Sequence, residues 1–212
     1  MRYALIATAF VVAICLPTLA AANDDGFELW LNPSASVAVD ENTSLEIETA
    51  QRLRSAADGR SDTYFTRAWV NQDFSEQLTI SAALERRIND GGSDETRFIQ
   101  QLSSRHGIIR TRLRLEQRLV DGADRMGLRI RPRLGVAAPL DENGRWSVKA
   151  DAELFLTLRS NNVGGQEGWT GIRTQAGFAY EISDRLSLGV AYLRQQDFAD
   201  GGPDTVGHAP II

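Results

Sequence analysis

The stretch Ser103-Ser104-Arg105-His106 puts a hydroxyl and an imidazole two residues apart, the residue types of a nucleophile and its base. Such a pair hydrolyses an acyl bond only when an acid orients the histidine and the base lies beside the nucleophile. No carboxylate sits in this short stretch. A lipid-modifying hydrolase using Ser104 and His106 is therefore kept only as an alternative. The other histidine, His208, lies near the C-terminus. No His-x-x-His, cysteine pair or calcium loop is present, so neither a metal nor a cofactor is expected. Residues 161–168, NNVGGQEG, are glycine-rich but lack the lysine and following helix of a phosphate loop, and read as an external loop.

A different pattern carries charge in a regular way. In RTRLRLEQRL, residues 110–119, Arg110, Arg112, Arg114, Glu116 and Arg118 occupy every second position, with Thr111, Leu113, Leu115, Gln117 and Leu119 between them. Arg129, Arg131 and Arg133 repeat the spacing, and Lys149, Asp151 and Glu153 repeat it again. Charges spaced in this way can form a salt-bridged network, or a positive wall that favours anions.

Only extended strands separate two such rows, because successive side chains point to opposite faces of a sheet. Period-two segments are legible near 28–39, 44–54, 62–72, 77–87, 96–103, 108–120, 126–138, 146–157, 169–182, 186–197 and 205–212. Three of them, 62–72, 96–103 and 169–182, alternate less cleanly. Short connections alternate along the chain with longer ones rich in Gly and Asp, such as 55–61, 88–96, 158–168 and 198–205. Outer-membrane barrels show this asymmetry. The expected fold is all-β: a transmembrane antiparallel up-and-down β-barrel of 10–12 strands. Twelve is favoured because bacterial barrels of this kind have even numbers. The same turn assignment starts the first strand on the side of the long loops.

In lipid every backbone polar group must find a partner within the protein, so the sheet must close. Leu113, Leu115 and Leu119 then face hydrocarbon. Arg110, Arg112, Arg114, Glu116, Arg118, Arg129, Arg131, Arg133, Asp151 and Glu153 form a charged lumen. Symmetric turns predict Arg133 opposite Asp151, Arg131 opposite Glu153 and Glu116, and Arg114 opposite Arg133. Trp30, Tyr64, Trp146, Trp169 and Tyr192 fall near strand ends, where aromatic girdles sit at headgroup level.

The N-terminus reads as a cleavable signal peptide over residues 1–22, with a basic start, an apolar run from Ala4 to Leu16 and small residues at Ala20–Ala22. Residues 23–212 form the barrel domain. Cys15, the one cysteine, lies in that run, so the mature chain has neither disulfides nor thiol chemistry. A net charge of −5 argues against a nucleic-acid partner. The expected partners are outer-membrane lipid and the barrel-assembly machinery. A soluble periplasmic barrel binding a small apolar ligand is a further alternative.

RLRLEQRL at 112–119, LRIRPRLGVAAPL at 128–140, AELFLTL at 152–158 and RTQAGFAYEISDRLSLGVAYLRQQ at 173–196 resemble an uncharacterised bacterial family, domain of unknown function 2490. The resemblance covers most of the chain from about residue 27, and the arginine-rich LEQR strand is its most specific element. It implies an outer-membrane barrel in a Gram-negative cell envelope. It brings no activity and no catalytic residue.

Overall fold

Alternation dictates strands, and strands are what the chain forms. The structure, a computed structural model, describes residues 25–54 and 62–212. The signal-peptide reading of 1–22 and most of the first long loop lie outside the described residues. Twelve strands follow one another: β1 (Asp25–Leu31), β2 (Ser34–Ala38), β3 (Thr43–Arg54), β4 (Thr63–Ser75), β5 (Leu78–Asn89), β6 (Glu95–His106), β7 (Ile109–Val120), β8 (Gly127–Pro139), β9 (Trp146–Arg159), β10 (Gly168–Ser183), β11 (Leu186–Asp197) and β12 (Thr205–Ile211). From β3 to β12 each strand pairs antiparallel with the next.

Eleven strands close the barrel, and β2 is an extra. The ring is β1 and β3 to β12, sealed by β1 pairing antiparallel with β3 and parallel with β12. An odd number of strands cannot alternate direction around a ring, so one parallel pair is unavoidable. That pair starts β1 at the end of the long loops, as the turn pattern requires. Strand β2 continues β1 along β3. The partners Glu28↔Arg54 and Ser34↔Glu48 belong to one unbroken antiparallel register. Between the two strands the chain passes through Asn32 and Pro33, and the Thr49 N–H donates to the Pro33 carbonyl at 3.0 Å. Proline donates no bond of its own, which ends β1 there without breaking the register on the β3 side.

The face assignment is that of the sequence, while the register between neighbours is shifted. Arg133 lies opposite Glu153, and Gly135, not Arg133, lies opposite Asp151. Glu116 lies opposite Arg129, Arg114 opposite Arg131 and Arg112 opposite Arg133. Each of these partners is two residues from the one symmetric turns predict. The β8–β9 pairing extends to Leu140, whose N–H donates to the Trp146 carbonyl at 2.8 Å, while Asp141 Oδ1 accepts from the Trp146 N–H. Only residues 141–145 remain as the turn, and its centre moves by one residue. At the β7–β8 turn, Gly122 takes a left-handed φ of 80°, and Asn161 Nδ2 donates to the carbonyls of Arg118 and Arg125. A two-residue shift keeps every side chain on its face, whereas a one-residue slip would have reversed them all.

Candidate functional site in the barrel interior

The outward row is apolar: Leu84, Phe98, Leu102, Leu113, Leu134, Phe178, Leu188 and Val190 are all exposed. The buried charges lie in the opposite row, inside. Glu85, Glu116 and Glu153 have 0 % exposure, and Arg67, Arg87, Arg97, Arg114 and Arg131 are buried with them. A carboxylate out of water is tolerated only when ion pairs and hydrogen bonds replace its hydration. Glu116 meets this condition with Arg129 Nη2 at 2.6 Å, Arg129 Nε at 3.0 Å and Arg131 Nη1 at 2.6 Å. Glu153 accepts from Arg131 Nη2 at 2.6 Å and from Arg112, with Arg133 at 3.4 Å and Arg173 at 3.9 Å. Arg131 thus bridges Glu116 and Glu153. The two are not its facing partners; its long side chain reaches each of them diagonally.

The remaining sequence-predicted residues sort by depth. Arg118 pairs with Glu95, which also holds Arg97. Asp151 accepts from Gln175 Nε2 at 2.7 Å and lies 3.4 Å from Arg133. Among the described residues Arg110 makes no ion pair with the network. It sits by the β6–β7 turn and donates to the carbonyls of Gly107 and Ile109.

A second half of the interior was not singled out from the sequence. Arg67, on β4, holds Glu48 on β3 at 2.6 Å and Glu85 on β5. Glu85 also takes Arg87 at 3.0 Å and Arg97 at 3.5 Å. Aromatic rings fill the space between these pairs. Arg114 on β7 stacks 5.2 Å from the Trp69 ring on β4, although β5 and β6 separate those strands along the wall. The contact therefore runs through the interior, past the inner faces of β5 and β6. Arg131 and Arg173 stack on Phe155, and Arg52 lies 3.9 Å over Trp30. Trp30 corrects the girdle reading: it is 5 % exposed, turns inward and donates from Nε1 to Glu28 at 2.6 Å. Tyr64, Trp146, Trp169 and Tyr192 are exposed on the outside.

Beside these ion pairs and rings is a cavity of about 230 Å³. Eight arginines and one carboxylate, Glu48, line it. Nε of Arg52, Arg112, Arg131 and Arg133 has no hydrogen-bond partner among the described residues. A larger cavity of about 500 Å³ opens toward the short turns beside Arg110, Lys149 and Asp151.

The Ser104 hydroxyl is 2.7 Å from that of Thr111, His106 is exposed at the end of β6, and no hydrogen bond joins Ser104 to His106 among the described residues. His208 Nδ1 meets the Tyr192 hydroxyl at 2.6 Å. Among the described residues no group of three His, Cys, Asp or Glu could hold a metal ion.

Neither the curated proteins nor the solved structures contain a match to this chain. One family does match, over residues 27–206, which takes in the whole charged interior. The chain belongs to that family, DUF2490, a protein family of unknown function.

Proposed function

We propose that the chain is an exported outer-membrane β-barrel whose middle is closed by an arginine–glutamate–aromatic septum, and that its role is structural, not enzymatic. The contact of Arg114 with Trp69 through the interior, past β5 and β6, carries this reading. Three glutamates of zero exposure, Glu85, Glu116 and Glu153, lie among the same arginines and support it. The apolar outer row suits hydrocarbon, and arginines turned toward lipid would each cost about 2–4 kcal/mol at mid-membrane.

A second reading, a narrow anion-preferring channel, rests on the arginine-lined cavity and its Nε groups that lack a hydrogen-bond partner among the described residues. Conductance in a planar bilayer under a salt gradient separates the two. The septum reading expects a correctly folded protein that gives no channel steps. Discrete steps with an anion-selective reversal potential would overturn it and make the arginines a selectivity element. Location is tested independently: the protein should fractionate with outer membranes and show a folded band that shifts on boiling. Release with the periplasmic contents would instead favour a soluble barrel.

A further inference from the structure

The arginine-lined cavity gathers more positive charge than its surroundings balance, and we propose that it binds a phosphate group that enters from the short-turn end of the barrel. Eight arginines line it, and among the described residues their side chains come within 3.9 Å of five carboxylates, Glu48, Glu85, Glu116, Asp151 and Glu153. Two of the five are shared with arginines outside the lining: Glu85 also pairs with Arg97, and Glu116 with Arg97 and Arg129. Glu153 serves four guanidinium groups, those of Arg112, Arg131, Arg133 and Arg173. Arg52 makes no ion pair among the described residues and rests 3.9 Å over the Trp30 ring. Guanidinium groups gathered away from bulk water repel one another, and an anion among them offsets that cost.

The donors suit a tetrahedral oxyanion. Nε of Arg52, Arg112, Arg131 and Arg133 has no hydrogen-bond partner among the described residues, and all four side chains line the cavity. A guanidinium presents its N–H groups as a planar fork that matches two oxygens of a phosphate at once. The four donors come from β3, β7 and β8, so they approach from different directions. A phosphate offers four oxygens in a tetrahedron and can answer all of them, whereas a carboxylate offers two in one plane. The cavity of about 230 Å³ equals the liquid volume of about seven waters, which holds one such group with a few waters beside it. A larger molecule would bring in its phosphate and leave the rest outside.

The two ends of the barrel are not equivalent for such a ligand. Arg112, Arg133 and Gln175 line both the arginine cavity and the cavity of about 500 Å³ that opens toward the short turns. Arg110 and Lys149 stand in the wall of that outer cavity, and cations along a cleft raise the local concentration of an anion. Toward the long loops a third cavity, of about 400 Å³, lies beside Arg118, Arg129 and Asn161 and shares no lining residue with the arginine cavity. Phe155 lines this third cavity, while Arg131 and Arg173 of the arginine cavity stack on its ring. The ring therefore divides the two. The site goes beyond the septum reading and is decided separately: conductance tests the septum, and binding tests the site.

The test uses the full chain refolded from urea into nonionic detergent in phosphate-free buffer, titrated calorimetrically with inorganic phosphate at constant ionic strength. Saturable binding of one phosphate per chain is expected. Arg52→Gln removes a cation that pairs with no carboxylate among the described residues, so the variant should fold. It should bind phosphate about tenfold more weakly, the loss of one charge-assisted contact. Arg86→Gln removes the same charge from an exposed side chain that pairs with Asp94 and Asp121, and should bind as the wild type does. If Arg52→Gln fails to fold, the wild-type chain alone answers: its urea midpoint should rise with phosphate and not with chloride of equal ionic strength. Phosphatidic acid added in the same detergent separates the sources of the group. Displacement of inorganic phosphate assigns the site to a lipid headgroup, and no displacement assigns it to free phosphate. Absence of saturable binding would mean that the arginines are balanced from within the chain, and equal weakening by the two variants would mean diffuse attraction only. Either result overturns the proposal.

Discussion

Glu116 is the residue on which the interior depends most directly. It is fully enclosed and compensates Arg129 and Arg131 through hydrogen bonds, with Arg97 and Arg114 each at 3.9 Å. Glu116→Gln preserves shape and removes the charge, leaving guanidinium groups buried without their counter-ion. Breaking a buried pair from one side costs about 3–5 kcal/mol. Urea unfolding in detergent should show a loss of that size, and a loss under about 1 kcal/mol would mean that water reaches the site. Adding Arg131→Met to the same chain should not cost the sum of the two changes, because both remove the same interaction. Glu116 and Arg131 were legible in the sequence because they stand in clean alternation with leucines. Arg67, Arg97 and Trp69 were not. In β4 the inward row is Thr63, Phe65, Arg67 and Trp69, and in β6 it includes Ile99 beside Arg97. The interior packs arginine against rings, so apolar residues occur on both faces and the simple polar-inside code fails where the filling is densest. The signal that survives is the spacing itself, since Arg67, Arg97 and Arg173 each fall on the inward parity of their strand.

Elements are held by their turns as much as by their pairs. Asp40 ends β2 with a carboxylate that accepts from the Asn42 N–H at 2.8 Å and the Thr43 N–H at 2.7 Å. The Asn42 N–H first, and then Thr43, hold this carboxyl below the usual aspartate range. A carboxyl depressed in the folded state stabilises above its unfolded pKa, and the contribution is lost as pH falls through the folded one. The β2–β3 turn should therefore loosen only in acid. Hydrogen exchange should show the Thr43 amide losing protection below about pH 4 in the wild-type chain, with Asp40→Asn flattening that dependence. Close approach is the other control on an element. A Cβ on Gly177 of β10 would lie 2.3 Å from the Val190 carbonyl oxygen and 2.5 Å from Ala191 of β11. Gly177→Ala must push the two strands apart, at about 1–3 kcal/mol. Gly189→Ala, whose nearest atom is 3.7 Å away, should be close to neutral in the same unfolding assay. Strand positions and faces could be read from period-two patterning, since tertiary contacts do not alter it. Register could not, because the Asn161 bridge and the Leu140–Trp146 bond lie in loops whose geometry no alternation encodes.

At the scale of the whole molecule, the odd strand number decides the closure. Eleven segments were visible in the sequence. The even-number expectation pulled the count to twelve, and the twelfth strand does exist, as the extension of β1 beyond the closing pair. What patterning cannot express is that one strand may pair in parallel with β12 at one level and, among the described residues, pair only with β3 at the next. The molecule is also inverted relative to a water-soluble protein, with ion pairs within and exposed leucines, valines and phenylalanines without. That inversion makes the surroundings of the barrel testable by a single substitution. Leu113 is 50 % exposed on the outer face of β7, away from the charged interior. Leu113→Arg adds a charge that water solvates freely and hydrocarbon does not. If the outer row faces lipid, folding into vesicles should lose about 2–4 kcal/mol. If it faces water, the same change on an exposed site should stay within about 0.5 kcal/mol. Urea-dependent folding of both chains into phospholipid vesicles, followed by tryptophan fluorescence, gives the difference directly. A near-zero value for Leu113→Arg would remove the physical basis for placing this barrel in a membrane, whatever its fractionation behaviour.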